Sequence, residues 1–148
     1  MKRFFSCAGL ILLLLIFPVT AADVPSRAPA LIWAARYNLI PLATAMLARG
    51  TAVNERDLMQ NTPLHWAVKH PEMLQFLIEN GADVNAVNFL GETPLHLAVA
   101  DKRSVEILLK SGADKKRQTL LGRTAADYCM DRGPGRRNLE VMMLLYAE

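Results

Sequence analysis

The chain has 148 residues and only two cysteines, Cys7 and Cys129. Cys129 stands alone beyond residue 22, so no intramolecular disulfide can brace that part of the chain and its fold must rest on an apolar core. Charge of one sign is scarce as well: 17 Lys and Arg stand against 14 Asp and Glu, a formal net charge of +3. Lys2 and Arg3 precede Asp23, the first acid, which leaves residues 23–148 with a net charge of about +1. That balance argues against nucleic acid as a partner, which calls for a sustained basic face. The short clusters Lys115-Lys116-Arg117 and Arg132 with Arg136 and Arg137 read as solvated loops, with an acidic protein patch as the competing reading.

Long hydrophobic runs are also missing, since spanning a bilayer takes roughly 20 apolar residues. The uncharged run Phe4 to Phe17 falls short of that, follows Lys2 and Arg3, and ends in Pro18-Val19-Thr20-Ala21-Ala22. Residues 1–22 therefore read as a cleaved secretory signal peptide, cut after Ala21 or Ala22. An uncleaved anchor is the alternative, and the length of the run disfavours it. Cys7 lies near the start of this run rather than after it and cannot serve as a lipid-attachment cysteine. Residues 23–28 are expected to be a short linker, and the expected address is the periplasm, although a eukaryotic secretory route would use a similar signal.

Catalytic signatures are equally sparse. The chain has no Gly-rich phosphate loop, no G-x-S-x-G and no metal-ligand pair at helical spacing. His65 and His70 are five residues apart, which places them on different helical faces, and His70 is expected in an exposed loop. Asp127 and Asp131 read as a solvated helix face. No enzyme, metal or cofactor is expected; a small zinc or thiol enzyme would need His65, His96 or Cys129 to perform the chemistry.

What the sequence does contain is a repeat. Thr62-Pro63-Leu64-His65-Trp66-Ala67 recurs 31 residues later as Thr93-Pro94-Leu95-His96-Leu97-Ala98, and again as the worn Thr124-Ala125-Ala126-Asp127-Tyr128-Cys129. A second motif keeps the same step, in Gly50-Thr51-Ala52-Val53-Asn54, Gly81-Ala82-Asp83-Val84-Asn85 and Gly112-Ala113-Asp114-Lys115-Lys116. Threonine before proline marks a helix start. Apolar residues then recur at helical spacing through Met73, Leu74, Leu77 and Ile78, through Val105, Leu108 and Leu109, and through Val141, Met142, Leu144 and Leu145. Gly81 and Gly112 end the second helices.

These residues resemble the ankyrin repeat. The resemblance implies an all-α repeat solenoid, a stack of four helix-turn-helix units joined by β-hairpin loops over residues 29–148. The expected units are 29–57, 58–88, 89–119 and 120–148, with Pro29 to Ala35 as a weak first copy and an extra loop at Arg132 to Arg137. The central units are two residues shorter than the usual repeat, between their helices. Trp33, Trp66, Leu97 and Tyr128 are expected in the continuous core, His65 and His96 in backbone hydrogen bonds near the loops, and Cys129 buried in place of alanine.

The resemblance further implies a function in holding another protein along the loop tips and the ends of the first helices. Those tips carry Leu58-Met59, Phe89-Leu90 and Leu120-Leu121, where the family usually has polar residues, so they should form an apolar docking stripe; packing on the neighbouring loop is the alternative. Arg56, Asn61, Val87, Glu92, Gln118 and Arg123, with Lys69, His70 and Asp101 at the helix ends, are expected to form its polar rim. The chain is expected to be monomeric alone, with no stable membrane insertion, and to inhibit a toxin acting in the periplasm. Scaffolding or protecting a resident envelope enzyme is the alternative role.

Overall fold

The computed structural model describes residues 30–131 and 136–147, with the backbone alone at Arg136 and Arg137. The expected signal peptide, the linker, Pro29, the loop 132–135 and Glu148 lie outside the described residues. Helices come in pairs: α1 (Ala30–Arg36) with α2 (Ile40–Ala48), α3 (Pro63–Trp66) with α4 (Pro71–Glu79), α5 (Pro94–Ala98) with α6 (Lys102–Lys110), and α7 (Ala125–Asp131) with α8 (Arg136–Tyr146). A 3-10 turn, Ala67–Lys69, continues α3. None of these helices is long and apolar enough to cross a membrane.

Local chemistry places the starts. Pro63 and Pro94 occupy the first helical position, where a missing N–H costs nothing, and Thr62 and Thr93 precede them in extended backbone. Between α3's 3-10 turn and α4 a single residue, His70, breaks the helical run, and Pro71 restarts it at once. The two-residue deficit of the central units is absorbed there and in the three-residue link Val99–Asp101 between α5 and α6. Asp101 then caps α6, accepting from the Arg103 N–H at 3.2 Å and from the Ser104 hydroxyl at 2.9 Å.

First helices pack on first helices, α1 on α3, α3 on α5 and α5 on α7, while α4, α6 and α8 form the second row. The core lies between the rows and repeats with the sequence. Leu31, Leu64 and Leu95 are fully buried in equivalent places, as are Ala34, Ala67, Ala98 and Cys129. Met73, Leu74, Leu77, Val105, Leu108, Val141 and Leu145 close it from the second row. At the end of the stack α8 turns Leu139, Met143 and Tyr146 to solvent at a spacing of four and three residues.

Hydrogen bonds between units repeat as well. Asn54 bridges to the next unit by accepting from the Asp83 N–H and donating to the Gly81 carbonyl, and Asn85 repeats this with Asp114 and Gly112. The expected β-hairpins are not found: among the described residues no strand forms. Each loop is a tight turn, closed by Gln60 N–H to Asp57, Gly91 N–H to Asn88 and Gly122 N–H to Thr119. Neighbouring turns share one main-chain bond, Phe89 N–H to the Met59 carbonyl at 2.9 Å and Leu120 N–H to the Leu90 carbonyl at 3.0 Å. A single bond per pair ties the loops together without making a ladder.

Candidate protein-docking face

Turn geometry decides where the apolar pairs go. Leu58-Met59, Phe89-Leu90 and Leu120-Leu121 occupy the two central positions of three four-residue turns, and the positive φ needed after them falls on Gln60, Gly91 and Gly122. The side chain before the pair braces each turn: the Asp57 carboxylate accepts from the N–H groups of Met59 and Asn61, the Asn88 amide oxygen from those of Leu90 and Glu92, and the Thr119 hydroxyl from that of Arg123 at 3.3 Å. The pairs project outward. Leu58 is 96% exposed, Phe89 67% and Leu121 84%, and all six tip residues lie at the surface.

Behind the tips runs a groove of about 530 Å³, lined by Met59 and Leu90 from the loops and by Arg36, Trp66, Leu97, Lys69 and His70 from the first helices. Here the sequence expectation requires correction. Trp66, Leu97 and Tyr128 are half-buried residues packed against the core rather than inside it, and Trp33 is 41% exposed, stacked on Tyr37. Trp66 and Leu97 form the groove floor. Arg36 lies over the Trp66 ring, its guanidinium carbon 4.6 Å from the centroid. The x of each T-P-L-H-x-A copy carries this line of large side chains, a signal present in the sequence; Arg36 has no counterpart in the repeated motif.

The rim residues fall into two groups. Lys69 and Gln118 are exposed. The others are engaged in the fold itself. Arg56 donates to the carbonyls of Gln60 and Val87, at 3.1 and 2.8 Å, and Asn61 joins Asp57 to Asn88. His70 is half-buried instead of exposed, because its Nε2 meets the Arg36 carbonyl at 3.2 Å. Glu92 accepts from the Asn88 amide and, at 2.7 Å, from the Tyr128 hydroxyl. Burial, followed by that carboxylate, pushes the Tyr128 pKa up to about 12. Arg123 covers the Tyr128 ring and pairs with Asp131.

Two buried histidines hold the face in place. The Thr62 N–H donates to His65 Nδ1 at 3.1 Å, so the neutral ring carries its proton on Nε2, which donates to the Glu92 carbonyl at 3.0 Å. Thr93, His96 and the Arg123 carbonyl repeat the arrangement. Burial lowers the pKa of both rings. In the last unit Asp127 takes the histidine's place, accepting from the N–H and hydroxyl of Thr124 at 2.7 and 2.8 Å, contrary to the solvated face expected for it. These Thr124 bonds hold its carboxyl below the usual range. Cys129 is buried, its thiol donating to the Asn138 carbonyl.

No curated protein matches the chain at a significant level of similarity. A family model described as ankyrin repeats in three copies matches residues 6–88, 31–119 and 69–148. Those matches together span residues 6–148. The chain belongs to the ankyrin repeat family, whose generally non-catalytic repeats make it a module for protein–protein interaction.

Proposed function

We propose that this module is exported to the bacterial periplasm and works there by binding one protein and blocking it, as an immunity-type inhibitor of a toxin that acts in the envelope. The observation that carries the binding surface is the row of three outward-facing apolar turn pairs, joined tip to tip by main-chain bonds. A large apolar side chain gains roughly 1.5–3 kcal/mol on full burial, so six of them offer on the order of 10 kcal/mol or more against an association cost of about 4–15 kcal/mol. The stripe is rigid, since each turn is fixed by its own side chain and by its neighbour. Ordering cost on binding is correspondingly small. The export reading rests on the residue pattern of 1–22, and inhibition on the fit between a small single-faced binder and the masking of a toxin surface.

Affinity capture with the exported protein from its own envelope fraction, followed by mass spectrometry, tests the role. A toxin recovered as the bound protein, encoded beside this gene, is the expected result. A resident envelope enzyme whose activity survives binding would replace inhibition with scaffolding. N-terminal sequencing of the exported protein should begin at Ala22 or Asp23; an intact Met1 in a membrane fraction would overturn the export reading.

A further inference from the structure

Charge around the groove is unevenly spread, and this bears on what the face holds. Among the residues lining the groove Arg36 and Lys69 are basic and Glu92 is the one carboxylate, engaged by the Asn88 amide and the Tyr128 hydroxyl. Arg56 and Asp57 lie beside the lining, the Asp57 carboxylate engaged by Trp66, Asn61 and Met59. Neither Arg36 nor Lys69 has a carboxylate within ion-pair distance among the described residues. Arg36 is nevertheless held, with its guanidinium over Trp66 and its carbonyl against His70. Toward the last unit, beyond the groove lining, the signs reverse: Asp127 and Asp131 stand against Arg123, which is already paired with Asp131. Within the groove lies the apolar floor of Trp66 and Leu97, bounded by the tip residues Met59 and Leu90.

We propose that the groove receives an extended segment of the partner protein in which an aspartate or glutamate lies next to a large apolar side chain. The carboxylate sits between Arg36 and Lys69, and the apolar side chain sits on Trp66 and Leu97. This rests on the reading of the tips and groove as the partner-holding face, and adds the chemistry of the occupant. A guanidinium fixed on an indole loses little freedom when it takes a carboxylate, and its planar fork donates to both carboxylate oxygens. A volume of about 530 Å³ suits a few side chains rather than a whole helix lying along the array. Met59 and Leu90 belong both to the groove and to the tip stripe, so a segment seated here is continuous with contacts to Phe89.

The test is selection of a random twelve-residue display library on the purified full chain. Selected peptides should be enriched in Asp or Glu within two residues of Leu, Phe, Trp or Tyr. A synthetic peptide of that kind should lose at least tenfold in affinity when its acid is changed to Lys, and by a similar factor on Lys69→Glu. Lys69 is exposed, so that variant keeps the wild-type melt; Arg36→Glu is the stronger companion if its own melt is also unchanged. Raising salt from 50 to 500 mM should weaken binding several-fold. Peptides without an acidic bias, an acidic peptide indifferent to Lys69→Glu, or no selected peptide at all would overturn the assignment. Peptides that bind without acidic bias yet compete with a captured partner would leave the face a docking surface and remove only the chemistry given to its occupant.

Discussion

The Nε2 proton of His65 points at the carbonyl oxygen of Glu92, 3.0 Å away in the next unit. The same ring accepts the Thr62 N–H, so one neutral imidazole both caps the start of α3 and joins it to the following turn. A second proton on the ring would face the Thr62 donor. The arrangement therefore works only in the neutral form, and His96 repeats it against Arg123.

A pH dependence with a definite sign follows. Both folded pKa values lie below the ordinary 6.5, so in acid the unfolded chain takes up these protons first. The contribution is complete above about pH 6.5 and is lost as pH falls toward the folded values. Asp57 and Asp127, whose folded pKa values lie below 3.8, add losses only in stronger acid. Glu55, raised by burial, acts in the opposite sense, so the histidine contribution is read from urea melts between pH 7.5 and 5.5 as the difference in slope between the wild type and the histidine variants. The melts should show falling stability across that interval. His65→Ala with His96→Ala should flatten the slope, and each change should cost about 1–3 kcal/mol at pH 7.5 by leaving a buried carbonyl or N–H unpartnered.

Gln60 holds φ at +61° at the turn position where the next two units have Gly91 and Gly122. A left-handed conformation costs a non-glycine residue about 1–2 kcal/mol, partly offset by the extra unfolded-state freedom of glycine. Gln60→Gly should therefore stabilise the protein by roughly 0.5–1 kcal/mol in equilibrium unfolding. Gly91→Ala should do the reverse and cost more than Gly122→Ala. A Cβ at Gly91 would meet the Leu120 backbone nitrogen at 2.9 Å, whereas nothing lies within 4 Å at Gly122.

The first unit has no threonine–histidine cap, and Glu55 supplies one from the loop. Its carboxylate accepts from the Leu31 and Ile32 N–H groups at 2.8 and 3.1 Å. Glu55→Ala should lower stability by about 1 kcal/mol, the usual cost of removing a helix cap. Amide hydrogen exchange should show the loss concentrated in α1. Uniform loss across all four helix pairs would contradict a local capping role.

Much of this fold was legible because its signals are local. A threonine, a proline and a histidine at fixed offsets start α3 and α5 without help from the rest of the chain, and glycine at 91 and 122 marks the turns that push the apolar pairs outward. Trp66, Leu97 and Tyr128 were misplaced because period alone assigns them to the buried side of a helix. Their half-burial depends on how far the neighbouring turn reaches over them. His70 was misread for a similar reason, since its partner, the Arg36 carbonyl, is 34 residues away. The expected hairpins became turns because adjacent loops share one main-chain bond each. Arg36 over Trp66 lies in no repeated motif, and only the packing of α1 on α3 brings it to the groove.

The central claim is that the turn pairs hold a partner and do not hold the fold. Phe89 tests it most directly, being the central aromatic of the stripe and two-thirds exposed. Phe89→Ser and the wild type should be compared by circular dichroism melting and by capture of the partner protein at matched concentration. An unchanged melt, within about 0.5 kcal/mol as for ordinary surface substitutions, with capture reduced at least tenfold, is the expected result. A collapsed melt with capture retained by the molecules that remain folded would make Phe89 a packing residue and contradict the account.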